Sequence, residues 1–113
     1  MDSRWKILTS IEQLTDVIDS STIKPVLIFK HSTRCSISSM ALNRLKNLSE
    51  VFYQSADFYY LDLIAHRDVS NAIAEKLDVF HESPQVVLVK NRVCTYDASH
   101  MEISSNDIQS QIQ

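Results

Sequence analysis

Val26-Leu27-Ile28-Phe29 is an unbroken apolar run, the pattern of a strand covered on both faces. It opens at Pro25 and breaks at the polar stretch His31-Ser32-Thr33-Arg34, which predicts a strand over 25–30 followed by a loop. After Cys35, the residues Ile37, Met40, Ala41, Leu45 and Leu48 share one helical face, predicting the longest helix of the chain, to about Glu50. Upstream, Ile11, Leu14 and Ile18 recur at helical spacing behind Ser10 as N-cap, with Gln13 completing a capping box, so 10–20 reads as an amphipathic helix. Ile7 and Leu8 before it form a short strand or a lead-in. Ser20-Ser21-Thr22 is a polar break.

Downstream, 57–64 (DFYYLDLI) alternates imperfectly and is rich in aromatics, which suits a strand. Asp68 opens a short helix through Val69, Ile73 and Leu77 that ends near Asp78. Ser83-Pro84 then precedes a strongly β run, Gln85-Val86-Val87-Leu88-Val89. Asn91-Arg92 forms a two-residue turn into Val93-Cys94-Thr95-Tyr96, a terminal hairpin. Ser104 to Asp107 cap a last short helix holding Ile108 and Ile112. The order is helix, strand, helix, strand, helix, strand, strand, helix. It predicts one α/β domain over 1–113, a central mixed sheet of four to five strands with helices on both faces.

Composition narrows the function. The 113 residues are 44% hydrophobic and 22% charged, with net charge -3. That balance favours neither nucleic acid nor membrane adhesion, both of which go with a basic excess. With no secretory apolar segment and no run long enough to span a bilayer, a cytoplasmic protein is expected. Glycine is absent from the chain, and phosphate-cradling loops depend on it, so nucleotide chemistry of those kinds is excluded. Turns are left to Asn, Asp, Ser and Pro. The two cysteines, Cys35 and Cys94, are too few for a disulfide scaffold, and no cysteine–histidine cluster has zinc-ligand spacing, so no metal is expected.

Cys35 stands where a buried strand feeds a helix. A thiolate there faces the unpaired N–H groups and positive end of the helix, and Arg34 adds a second positive charge. Both lower a thiol pKa below its free value of ~8.5. The opposing reading is a small core thiol; the polar flanks, Ser32 to Arg34 and Ser36, favour exposure.

With a cysteine at the first strand-to-helix junction and Ser-Pro before a hairpin, the chain resembles the thioredoxin fold. The segment HSTRCSIS is similar to the active-site segment of the YtxJ-like bacilliredoxins, the monothiol branch of the bacillithiol redox system. Their Thr-x-Cys-Pro-x-Ser pattern is met by Thr33, Cys35 and Ser38; Ser36 stands where proline is expected. The resemblance implies a cis peptide bond before Pro84, with Ser83 and Pro84 beside the thiol and pairing with an incoming chain. It implies Cys35 and Ser38 as catalytic residues, and Thr33, Arg34, Ser83 and Pro84 as substrate contacts. Phe29 stands where many thioredoxin-like strands carry a buried aspartate.

Ser38 occupies the place of a resolving cysteine. A hydroxyl cannot release a mixed disulfide, so a monothiol cycle follows. Cys35 takes a low-molecular-weight thiol, bacillithiol by resemblance, from S-thiolated cytosolic proteins, and a second small thiol regenerates it. That thiol is a co-substrate, and no tightly bound cofactor is expected; nor is any oligomer beyond a monomer. Glutathione or coenzyme A in the same chemistry, or a non-catalytic binding or adaptor protein, are the alternatives. Ser38 either donates a hydrogen bond to the thiolate or caps the helix. Cys94, mid-strand in the hairpin, reads as a core thiol, and Lys30 and His31 as solvated loop residues.

Overall fold

The computed structural model of the chain describes residues 4–32, 36–45 and 50–112. Five strands form one sheet: β1 (Trp5–Ile7), β2 (Val26–His31), β3 (Asp57–Asp62), β4 (Gln85–Lys90) and β5 (Val93–Ser99). They lie in the order β1-β3-β2-β4-β5. β1 and β2 both pair with β3 in parallel, whereas β2–β4 and β4–β5 are antiparallel. This is the mixed sheet that the element order predicts, and Trp5–Ile7 settles the lead-in as a strand.

β2 is central, and all six of its residues are buried. Successive side chains of a strand point to opposite faces, and the two faces build two cores. Leu27 and Phe29 pack with Trp5, Phe58, Val86 and Leu88 on one side. That side is covered by Ala41 and Leu45 of α2 (Ser36–Leu45), by Phe52 and Tyr53 of α3 (Glu50–Ser55), and by Ile108 and Ile112 of α5 (Ser105–Ile112). Val26 and Ile28 pack on the other side with Leu14, Val17 and Ile18 of α1 (Ile11–Ser20) and Val69, Ile73 and Leu77 of α4 (Arg67–Leu77). The second core follows the apolar spacings of the sequence closely.

Local rules explain the ends. The Ser10 hydroxyl accepts the Gln13 amide at 3.1 Å, while the Gln13 carboxamide accepts from the Thr9 amide, a capping box displaced by one residue. With no glycine in the chain, positive φ falls to Asp78 (55°), Asn91 (53°), Arg92 (69°) and His100 (53°). Asn91 and Arg92 form the hairpin turn, whose favoured geometry needs positive φ at both central residues. Arg92 has no intrinsic ease in that region. Its amide donates to the Ser21 hydroxyl at 2.8 Å and its guanidinium pairs with Asp19 at 3.1 Å, which hold it there.

Of the helix expected after Cys35, α2 is described to Leu45 and α3 begins at Glu50; residues 46–49, over which that helix was expected to continue, lie outside the described residues. Two expectations change. Met40, placed on the apolar face of that helix, is half exposed. A 3₁₀ turn, His100–Glu102, follows β5. Lys30 and His31 are not solvated loop residues. They are the last two residues of β2 and both are buried, because the strand keeps its pairing with β3 as far as His31↔Asp62.

Candidate active site

The sheet sets which residues meet at the end of β2. β2 and β4 pair from Val26↔Val89 to Lys30↔Gln85. One position further, His31 of β2 comes opposite Pro84. The Ser83–Pro84 bond is cis, as the fold resemblance implies, and Pro84 is buried while Ser83 is half-buried. The Pro84 carbonyl accepts the His100 amide at 3.0 Å, which ties the 3₁₀ turn to this segment. His100 Nε2 also lies 3.5 Å from Glu82.

Thr33, Arg34 and Cys35 lie outside the described residues, as does the side chain of Ser38. In the chain, Cys35 immediately precedes the first residue of α2, and Ser38 is the third residue of that helix. The first turn of α2 carries no acidic residue, so the helix does not neutralise its own positive end. α2 is anchored from its last turn by Arg44, whose guanidinium donates to the carbonyls of His100 at 3.1 Å and Ile103 at 3.2 Å. β2, α2, the Ser83–Pro84 segment and the 3₁₀ turn therefore converge at one end of the sheet.

A polar cluster that the sequence reading did not anticipate lies on the α4 face. Lys30 is fully buried, and its Nζ is 2.8 Å from His81 Nδ1. Ser70 Oγ of α4 approaches the same nitrogen at 3.3 Å. An ammonium only donates, so Nδ1 of His81 is the acceptor and its proton resides on Nε2. Burial pulls the Lys30 amine down to about 8, with Glu82 opposing. His81 is lowered by burial and then by the charge of Lys30, so the pair is ammonium with neutral imidazole at neutral pH. Gln85, also fully buried, donates to the Phe80 carbonyl at 3.0 Å and accepts from the Glu82 amide at 3.4 Å. Lys30 and Gln85 thus hold the segment that leads into Pro84. In the sequence each is a polar residue adjoining an apolar strand run, a pattern that does not report its burial.

The α2 face is different. There His31 stacks on Phe29 at 5.4 Å between centroids and lies 5.6 Å from Tyr60. Its Nδ1 is buried and has no hydrogen-bond partner among the described residues. Burial lowers the imidazole below its ordinary value of 6.5, and the Asp62 carboxylate opposes that.

Cys94 lies at the far end of the hairpin, in β5, half-buried and free; its thiol donates to the Tyr96 carbonyl at 3.4 Å. Burial pushes this thiol up, and Asp97 adds to the shift. Among the described residues no group of three or more His, Cys, Asp or Glu is arranged to hold a metal ion. No described helix is long and apolar enough to cross a membrane.

Comparison with known proteins adds a family to this geometry. The family model described as monothiol bacilliredoxin BrxC matches residues 6–108. A solved structure described as a candidate oxidoreductase with a thioredoxin fold is 31% identical, with 96% of this chain and 93% of that chain covered at a TM-score of 0.82. Thioredoxins of Malassezia sympodialis and Fasciola hepatica align at TM-scores of 0.71 and 0.72 with 17% and 14% identity. They cover 96% and 95% of this chain, and 87% and 95% of their own lengths. At those identities they establish the thioredoxin fold alone.

Proposed function

Since this chain belongs to the monothiol bacilliredoxin family, a family of thiol–disulfide oxidoreductases, we propose that Cys35 removes a low-molecular-weight thiol from S-thiolated proteins. Bacillithiol is the small thiol that family membership favours. The observation that carries the reading is the place of Cys35 in the chain: one residue before α2, whose first turn has no acidic residue, and four residues after a fully buried strand. That setting favours a thiolate.

The thiolate attacks the small-thiol sulfur of the mixed disulfide. The bond to the protein sulfur breaks, the protein leaves as its thiolate, and Cys35 holds the small thiol. A second small-thiol molecule attacks that bond, leaves as the symmetric disulfide and restores Cys35. Ser38 cannot supply a thiol, so the cycle needs the outside molecule. Thr33, Arg34, Ser83 and Pro84 are the proposed contacts for the substrate, Ser83 offering backbone to an extended chain. The reducing cytosol is the proposed setting, with monomeric enzyme.

The test presents the purified full chain with one peptide mixed-disulfide-bonded in turn to bacillithiol, glutathione or coenzyme A, and follows adducts by intact mass. Transfer of one small thiol, lost in Cys35→Ala, is expected, with bacillithiol fastest. A faster glutathione or coenzyme A reaction corrects the co-substrate. Absence of any adduct overturns the reading in favour of a binding or adaptor protein.

A further inference from the structure

The segment between α4 and β4 is held by two different kinds of group. Gln85 holds its backbone: the carboxamide donates to the Phe80 carbonyl at 3.0 Å and accepts from the Glu82 amide at 3.4 Å. A carboxamide does not titrate. His81 holds the segment through its ring, and that hold depends on one lone pair. Lys30 Nζ lies 2.8 Å from Nδ1, and Ser70 Oγ approaches the same atom at 3.3 Å. Lys30 is 0% exposed in β2 and Ser70 2% exposed in α4, whereas His81 lies at the surface. The ring is therefore the partner free to leave. Three residues further on, the segment ends in the cis Ser83–Pro84 bond.

We propose that His81 is an acid-released latch on the segment that leads into Pro84. In the latched form the Lys30 ammonium donates to a neutral imidazole. Nε2 already carries a proton, so a second one enters at Nδ1. It consumes the lone pair, sets N–H against N–H, and brings two positive charges to hydrogen-bond distance. The contact with Lys30 cannot be made in that state, and the ring moves to solvent. Gln85 and the bond from the His100 amide to the Pro84 carbonyl then hold the segment without it.

The surrounding charges set the direction. Burial, then Lys30 of β2, and also Arg67 of α4 oppose a positive imidazole, while Glu82 of the same segment favours it, and the ring is lowered from its ordinary 6.5. From β5, Asp97 meets Gln85 at 3.5 Å, and His100 of the 3₁₀ turn lies 3.5 Å from Glu82. Released to water, the imidazole regains its ordinary value, so the open form binds the proton more tightly. The latch is at full strength above pH 6.5 and weakens as pH falls below it. Alkali acts differently. Lys30 gives up its proton near 8, but a neutral amine keeps N–H groups to donate, and the contact survives as a weaker neutral hydrogen bond. The response is one-sided. Ser83 and Pro84 are proposed substrate contacts, so release loosens the backbone that receives an extended chain. That consequence rests on the proposed function; the latch does not.

The test titrates the full chain by NMR between pH 4.5 and 8, reading the His81 ring nitrogens and the amide exchange of residues 80–83 against that of β4. The parent is expected to show an Nε2–H tautomer and a His81 midpoint below 6.5. Protection of the Glu82 amide is expected to fall by about tenfold between pH 7 and pH 5, with the β4 amides unmoved. In His81→Asn an amide oxygen takes the place of Nδ1 and does not titrate, so protection is expected to stay level. In Lys30→Met the His81 midpoint is expected to move upward. An Nδ1–H tautomer, a midpoint at or above 6.5, or an equal loss of protection in His81→Asn overturns the latch. Because His81 is exposed, the Asn variant decides the matter even if Lys30→Met fails to fold. Binding of a bacillithiol–peptide mixed disulfide to unreactive Cys35→Ala protein is then compared at pH 7 and pH 5, with and without His81→Asn. Weaker binding in acid, cancelled by His81→Asn, is expected. Binding that ignores a confirmed latch overturns the substrate contact at Ser83 instead, a separate outcome.

Discussion

The two faces of β2 treat buried polarity in opposite ways. On the α4 face, Lys30 is fully buried yet engaged: its ammonium meets His81 at 2.8 Å, and Gln85 beside it binds the same segment through Phe80 and Glu82. On the α2 face, one residue along, His31 is also buried, and its Nδ1 has no hydrogen-bond partner among the described residues. A satisfied buried network fixes structure. A buried polar group without a partner carries its desolvation cost uncompensated. The same strand thus carries a holding device on one side and, on the α2 side, a polar atom that the described fold leaves uncompensated.

The largest expected effect lies on the α2 face: Cys35→Ala abolishes small-thiol transfer, as read by intact mass. Next comes the holding device. Lys30→Ala empties a buried site and removes the Lys30–His81 contact, and is expected to cost about 2–4 kcal/mol of unfolding free energy in urea titrations. Lys30→Met keeps the volume and costs less than about 1.5 kcal/mol at pH 7.

The comparison sharpens with pH. The Lys30 amine is held near 8 against an ordinary 10.5. Between those values the unfolded chain binds the extra proton, so this group makes stability rise with pH. Its cost is present in full below about pH 8 and is lifted as pH climbs toward 10.5. Relative to Lys30→Met, the parent should therefore recover up to about 3 kcal/mol over that window. A flat difference between the two proteins would break the idea of a strained, buried ammonium.

His31→Phe should behave in the contrary sense to Lys30→Ala. It removes the unsatisfied nitrogen from an aromatic nest, so stability in urea titrations is expected to rise by about 1 kcal/mol. The sign for acid is also defined. A lowered imidazole loses stability as pH falls below 6.5, and His31→Phe should weaken that loss. If His31→Phe destabilises the fold, the contrast between the faces collapses. The smallest effect is Cys94→Ala. Its thiol is half-buried with its pKa pushed up, so transfer should be unchanged and stability altered by about 1 kcal/mol or less.

Much of this protein was legible in the residues. The apolar run 26–29, the hairpin at Asn91-Arg92 and the spacing of Leu14, Ile18, Val69, Ile73 and Leu77 place strands and helices where the structure has them. Those signals are local: period two or period 3.6 with turn chemistry between. The place of Pro84 and its cis bond came from the resemblance, not from the spacing.

What the sequence by itself determined is the candidate thiol and its limit. Cys35 stands at the strand-to-helix junction, and by the family resemblance Ser38 stands where a second thiol would close the cycle within the chain. What only the tertiary structure decided is the fate of Lys30 and His31. Written in sequence they are two polar residues at the edge of a loop. In the sheet, pairing with β3 as far as Asp62 keeps both inside, and the alternation of the strand sends them to opposite cores. Burial is a property of what packs above a residue. For these two, the covering elements come from residues tens of positions away, and no local pattern reports them.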